Sequence, residues 1–218
     1  FRPLHRFNPE RVRYVRDLAC RRFARRTEDD RPLAGLTLLD IGTGGGLIAE
    51  PMARLGARVT GIDPSEKNIG IARAHAARMT LAIDYRATTA EALAAEGARF
   101  DIVLAMEVIE HVADVGLFLD AVAALVRPGG FAALATLNRT LRAYALAIVG
   151  AEYVMRWLPV GTHDWNRFLT PGELSSLLVE RGLVPSDTTG MIYNPISGRW
   201  RLGADTAVNY LIAGNKAT

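Results

Sequence analysis

Five short apolar runs alternate with segments of helical spacing: "LTLLDIG" (36–42), "RVTGID" (58–63), "LAIDYRA" (81–87), "FDIVLAM" (100–106) and "GFAALATL" (130–137). Runs this short, nearly continuous in apolar residues and bounded by Gly or Asp, fit strands buried on both faces. Between them "LIAEPMARLG", 64–78, "TTAEALAAE" and about 115–126 repeat apolar side chains at helical intervals. Strand and helix alternating at this pace imply βαβ units, hence a mostly parallel sheet with helices on both faces. A Rossmann-like α/β fold of seven strands is therefore expected.

After Leu137 the rhythm changes. Two helical stretches (140–149 and 151–158) and a loop, "PVGTHDWNRFL", are followed by a helix capped at Thr170 with Pro171 first, a strand near "GLVPSDTTG" and a last strand "AVNYLIAGN". The segment 138–168 reads as a helical insertion beyond the fifth strand, placed to cover the carboxyl edge of the sheet, where open α/β folds bind ligands. At the other end, Asn8 followed by Pro9 reads as an N-cap and first helical residue, with Val12, Val15, Leu18, Ala19 and Phe23 carrying the helix to about Arg26 within an N-terminal segment 1–31. Phe1 is not a natural start and no capping signal precedes Asn8, so the sequence is expected to continue upstream. One domain spanning 1–218 is expected.

Hydrophobic residues make up 50% of the chain and mean hydropathy is +0.11, which excludes a disordered polymer. Ten arginines fall between Arg2 and Arg31, although net charge is only +3. They are either solvated helix charges or a face for phosphates or anionic lipid. Cys20 stands alone and no apolar leader opens the chain, so a reducing, cytoplasmic setting is expected. The most apolar stretch, 141–159, is broken by Arg142, Glu152 and Arg156 and does not read as a membrane span.

"LLDIGTGGGLIAE" sets Gly42, Gly44, Gly45 and Gly46 between the first strand and its helix, more glycine than a bare turn needs. A dinucleotide fingerprint would need glycine at 47, and the residue is Leu47. Asp63 closes the second strand, where it reads either as a ribose-hydroxyl acceptor or as the N-cap of the helix that follows. Asp40, just before the loop, adds negative charge that suits a cationic ligand and would repel a pyrophosphate. An acid before the glycine loop, an acid after strand two and "VRPGGF" before strand five resemble the class I S-adenosylmethionine-dependent methyltransferases.

Further segments sharpen the resemblance: "NPERVRYV", "DIGTGGGLIAEPMARLGARVTGID", "AMEVIEHV", "TLNRT", "VGAEYVMRWLPVGTHDWNRFLTPGEL" and "YNPISGRWRLGADTAVNYLI". Together they resemble the ubiquinone-biosynthesis O-methyltransferases over nearly the whole chain. That resemblance implies methylation of the hydroxyls of polyprenylated catechol-type intermediates in two pathway steps. It implies cofactor contacts from Arg11, Gly42, Asp63 and Met106; the reading of the loop itself adds Asp40 and Gly44. It implies that Glu107, Glu110 and His111 of "MEVIEH" bind a divalent ion, expected to be Mg2+. Where relatives often carry Cys after the first loop glycine, this chain has Thr43.

Methyl transfer to a phenol needs an aligned oxygen and removal of its proton. On a regular helix Glu107, Glu110 and His111 would share one face, so they read either as a metal set holding both catechol oxygens or as a cap and surface ion cluster. His111 is also a candidate general base, as is His163 beside Asp164. Met106, at a strand end, reads as adenine packing or as core. The apolar helices at 141–158, flanked by Arg142 and Arg156, read as a lid or as peripheral contact with the inner face of the cytoplasmic membrane, where ubiquinone-pathway protein partners would also lie. Two rivals are weaker: an NAD-dependent oxidoreductase is opposed by Leu47 and Asp40, and no aromatic-interleaved basic stripe supports nucleic-acid binding.

Overall fold

The computed structural model describes residues 2–144, 165–194 and 197–218. Helix α1 (Arg2–Arg22) precedes β1 (Thr37–Ile41), α2 (Ala49–Arg54), β2 (Arg58–Asp63), α3 (Glu66–Arg78), β3 (Asp84–Ala87), α4 (Ala90–Ala95), β4 (Phe100–Met106), α5 (Val115–Leu125) and β5 (Val126–Leu137). The short α6 (Leu141–Ala143), α7 (Pro171–Glu180), β6 (Leu183–Asn194), β7 (Arg199–Gly203) and β8 (Asn209–Lys216) follow. All five strands expected before residue 138 are present, although only 84–87 of "LAIDYRA" pair.

The strands form one sheet in the order β3-β2-β1-β4-β5-β8-β6-β7. Strands β1 to β5 are parallel, and β8, β6 and β7 run antiparallel to their neighbours. The sheet thus has eight strands rather than seven. The additional one, β7, hairpins onto β6 with Tyr193 opposite Trp200. "RWRLG" does carry period-two alternation behind a Ser-Gly turn, a legible but short signal.

Alternation along the strands divides the core in two. Leu38, Ile102, Leu104, Met106, Ala133 and Leu211 face one side, with Val15, Met52 and Ile69 of α1, α2 and α3. Leu39, Val103, Ala105, Leu134 and Ile212 face the other, with Leu93, Leu119 and Leu178 of α4, α5 and α7. Each fully buried Leu or Ile here contributes about 1.5–3 kcal/mol. The amino edge of the central strands is locked by polar bonds: Thr37 N and Oγ1 both donate to Asp101 Oδ2 at 2.8 Å, Thr37 Oγ1 accepts from Asp101 N at 3.0 Å, and Arg127 pairs with Asp101 at 2.8 Å.

Helix α1 departs from expectation. It does not begin at Pro9 but carries Pro9 inside, and it ends at Arg22. Asn8 is not its cap; Asn8 Nδ2 donates to Leu47 O at 2.7 Å, tying the helix to the glycine loop. A proline after Asn looks locally like a start signal, and this tertiary bond is what the local pattern cannot contain. At α3 the N-cap is Ser65, whose side chain accepts from Asn68 N, so the helix starts at Glu66 and Asp63 does not cap it. The cap at Thr170 is as read from sequence, a reciprocal capping box with Glu173.

Candidate functional site

The carboxyl ends of β1, β2 and β4 meet beneath α1. At the end of β1, Gly42, Gly44 and Gly46 take φ values of +68°, +53° and +86°. This left-handed backbone suits glycine, and at two positions space demands it as well. A Cβ on Gly42 would stand 2.6 Å from Val108 Cγ2, and one on Gly46 would stand 2.3 Å from the Tyr85 hydroxyl. Around Gly44 a Cβ would meet nothing within 4 Å, so the loop is open there.

Two acids hold the loop. Asp40 accepts from Thr43 Oγ1 at 2.7 Å, and Ala49 N–H also donates to it. Thr43 thus has a specific task in this chain, which its small size alone did not reveal. Burial raises the Asp40 carboxyl to about 7, with Asp63 adding and Thr43, Ala49 and Arg11 opposing. Asp63 accepts from Gly44 N at 3.1 Å, Ser65 N at 2.9 Å and Asn68 Nδ2 at 3.2 Å, which fixes its carboxylate at the end of β2 beside the open turn.

Arg11 brings α1 into the site. The residue is 5% exposed, and its guanidinium forms an ion pair with Glu107 and lies within electrostatic reach of Glu110 and Asp40. Burial lowers its pKa, and the three carboxylates oppose that shift. The guanidinium carbon stacks 4.3 Å above the Phe7 ring, and Nε is buried without a protein partner. Charge alone gave no way to single out this arginine from its many neighbours; only the resemblance did.

Met106 ends β4 in the core face shared with α1. Glu107 follows at φ +58°, a conformation costly for a residue with a side chain. It is therefore not on a helix with Glu110 and His111, which lie in a single 3-10 turn, Ile109–His111. Glu110 is buried: Oε2 accepts from Thr136 Oγ1 at 2.9 Å, and Oε1 has no partner. Burial, then the charge of Glu107, push its carboxyl well above the usual range. His111 is exposed on the rim. The sequence-based metal set is thus not assembled: Glu107 is paired with Arg11, Glu110 is buried and His111 is exposed. Among the described residues no group of three His, Cys, Asp or Glu side chains could hold an ion.

His163 lies outside the described residues, as does nearly all of 141–158. No helix among the described residues is long and apolar enough to cross a membrane.

A methyltransferase-domain family matches residues 11–186. The chain is 57% identical over 215 residues to a ubiquinone biosynthesis O-methyltransferase from Methylobacterium sp. (strain 4-46), covering 99% of this chain and 86% of the relative. It is 54% identical over 218 residues to one from Rhizobium johnstonii, covering 100% and 88%. Among solved structures, the magnesium protoporphyrin IX methyltransferase from Synechocystis PCC 6803 with bound SAH superposes with a TM-score of 0.67 at 20% identity, covering 95% of this chain and 84% of that one. The 1,6-didemethyltoxoflavin-N1-methyltransferase from Burkholderia thailandensis, with its substrate and S-adenosylhomocysteine, gives 0.62 at 19%, covering 95% and 78%. At such identities these structures speak for the fold alone.

Proposed function

We infer the chemistry of this site from a plain premise: the chain belongs to the ubiquinone biosynthesis O-methyltransferase family and is an S-adenosylmethionine-dependent O-methyltransferase. Its acceptors, in this reading, are hydroxyls of polyprenylated catechol-type intermediates, in both methylation steps of the pathway (2-polyprenyl-6-hydroxyphenol and 3-demethylubiquinol). The observation that carries the site assignment is the buried Arg11, set among three acids beside an open glycine turn with Nε unpartnered.

The residues present fit the cofactor. Arg11 supplies a buried donor for its carboxylate, Asp63 an acceptor for ribose hydroxyls, Gly42 the left-handed turn and Gly44 the room for close approach, and Asp40 a negative charge for a cation. Met106, at the end of β4, is the apolar residue this reading assigns to the cofactor's adenine. S-adenosylmethionine, when bound, supplies a methyl group made electrophilic by its sulfonium. The chain's own work is to bind, to orient the acceptor oxygen, and to take its proton. A catechol hydroxyl has a pKa of ~10, so a proton acceptor at the rim lowers the barrier at neutral pH. His111, exposed just beyond the buried Glu110, fills that role. Its conversion to Gln is expected to lower kcat by about 100-fold, within the range of general-base catalysis, with the KM for S-adenosylmethionine little changed. An unchanged kcat would remove His111 from the mechanism.

The residues do not fit a divalent ion as folded, since Arg11 already pairs with Glu107, Glu110 is buried against Thr136, and among the described residues no group of three His, Cys, Asp or Glu could hold an ion. Methyl transfer to a short-chain polyprenyl catechol tests both points. Turnover with that acceptor, undiminished in chelator, is the expected result. Transfer only to phenols lacking a prenyl chain would overturn the acceptor assignment. Turnover lost in chelator and restored by Mg2+ would show that the Arg11–Glu107 pair opens to admit an ion.

Asp40 adds a pH dependence with a definite sign. Its folded-state pKa of about 7 exceeds the unfolded value of 3.8, so the ligand-free protein loses stability from this group as pH rises between them. A bound cation favours the ionised form and removes that penalty. The rise in Tm on saturating with S-adenosylmethionine should therefore be larger at pH 8 than at pH 6, and Asp40→Asn should erase the difference. Equal shifts at both values in the unaltered protein would mean that Asp40 does not face the cofactor's charge.

A further inference from the structure

The first turns of α1 cannot hold themselves. Pro9, inside the helix, lacks an N–H, so the helical hydrogen bond from residue 9 back to the carbonyl of His5 is missing. Two outside contacts replace it. Asn8 Nδ2 donates to Leu47 O in the glycine loop at 2.7 Å. Phe7 meets Trp200 of β7 edge to face, with ring centroids 5.2 Å apart and planes at 65°. Trp200 is braced in turn by Tyr193, its partner across the β6–β7 hairpin, at 5.0 Å. Phe7 also carries Arg11, whose guanidinium carbon lies 4.3 Å from its centroid. Both contacts fall within the ranges where aromatic pairs and cation–π pairs are attractive.

A continuous stack thus runs from the edge hairpin to the end of β4: Tyr193, Trp200, Phe7, Arg11, Glu107. Trp200 in this stack comes from β7, the strand that makes this sheet eight rather than seven, and Tyr193 from its neighbour β6. We propose that Trp200 is a positioning residue for the methyl-transfer site: through Phe7 it fixes the guanidinium of Arg11, so that the β6–β7 hairpin sets affinity for the cofactor. The inference rests on the reading of Arg11 as a cofactor contact. Arg11 and Phe7 are four residues apart on one helix face, so a ring released from Trp200 can turn and leave the guanidinium without its platform.

Binding of S-adenosylhomocysteine to the full chain, measured by calorimetry, tests this alongside steady-state kinetics. Trp200→Leu is expected to weaken binding and raise the KM for S-adenosylmethionine by roughly tenfold, the scale of losing one aromatic contact and part of a cation–π contact, while kcat falls less than about threefold. Trp200→Phe should recover most of the affinity. Leu202→Ala, on the same strand but partly buried against the core, should lower Tm without moving the KM. If Leu202→Ala weakens binding as much as Trp200→Leu, the hairpin acts only through stability and the proposal fails. If Arg11→Met weakens binding and Trp200→Leu does not, Arg11 contacts the cofactor without help from the hairpin. Wild-type affinity in Arg11→Met would instead overturn the reading of Arg11 itself, and the inference with it.

Discussion

Replacing Arg11 with methionine is expected to lower affinity for S-adenosylhomocysteine by two to three powers of ten and to move the acid limb of the activity profile to higher pH. Methionine preserves much of the length and apolar contact of arginine, so the change isolates the charge. Removing one partner of a buried ion pair costs about 3–5 kcal/mol, because the other is left uncompensated, and every 1.4 kcal/mol is tenfold. Here three acids lose one counter-charge: Glu107, its direct partner, with Glu110 and Asp40 within reach. Asp40, whose ionised form Arg11 favours, then holds its proton to higher pH, so the charge proposed to attract the cofactor is reached later. Arg11→Lys keeps the charge but loses the planar fork, and should fall between. Wild-type affinity in the methionine variant at neutral pH would sink the assignment.

The second large effect is expected at Gly42. Alanine there must adopt φ +68°, which costs an L-residue about 1–2 kcal/mol, and must also displace Val108, whose Cγ2 would lie 2.6 Å from the new Cβ. Val108 follows Glu107, so relief of the clash is transmitted to the residue paired with Arg11. Gly42→Ala should therefore weaken S-adenosylhomocysteine binding by at least about 100-fold, beyond what its backbone strain alone would explain. Gly35→Ala provides the control: φ is +83° with nothing within 4 Å of an added Cβ, so it should lower Tm and leave binding intact. Equal loss of binding in both variants would reduce the Gly42 effect to destabilisation.

Much of this arrangement was legible in the residues. Continuous apolar runs closed by Gly or Asp gave β1 to β5, because strands buried on both faces have little other composition open to them. The glycine loop, Asp40 and Asp63 were visible because backbone conformation and charge restrict residue choice there. What escaped has one cause, contact between distant segments. Asn8 and Pro9 present the local chemistry of a helix start, yet Asn8 is used on Leu47. Glu107 falls at helical spacing from Glu110 and His111, but its positive φ breaks that geometry, and no property of a glutamate announces such a backbone. Thr136, which holds Glu110, and Phe7, which carries Arg11, became functional candidates only once strand and helix were laid beside them. The reading of Arg11 as a cofactor contact came from resemblance, since charge alone could not separate it from its neighbours.

The lock among Thr37, Asp101 and Arg127 sits at the end of the strands opposite the glycine loop and Glu107. The long axis of the strands therefore separates two kinds of sequence tolerance. A breeding programme for heat resistance can accept changes around Thr37 and Arg127 and monitor them by melting alone, whereas a search for new acceptors has its useful variation at the other rim. Libraries drawn from the two ends can be recombined with little interference, because additivity holds for sites this far apart that share no partners.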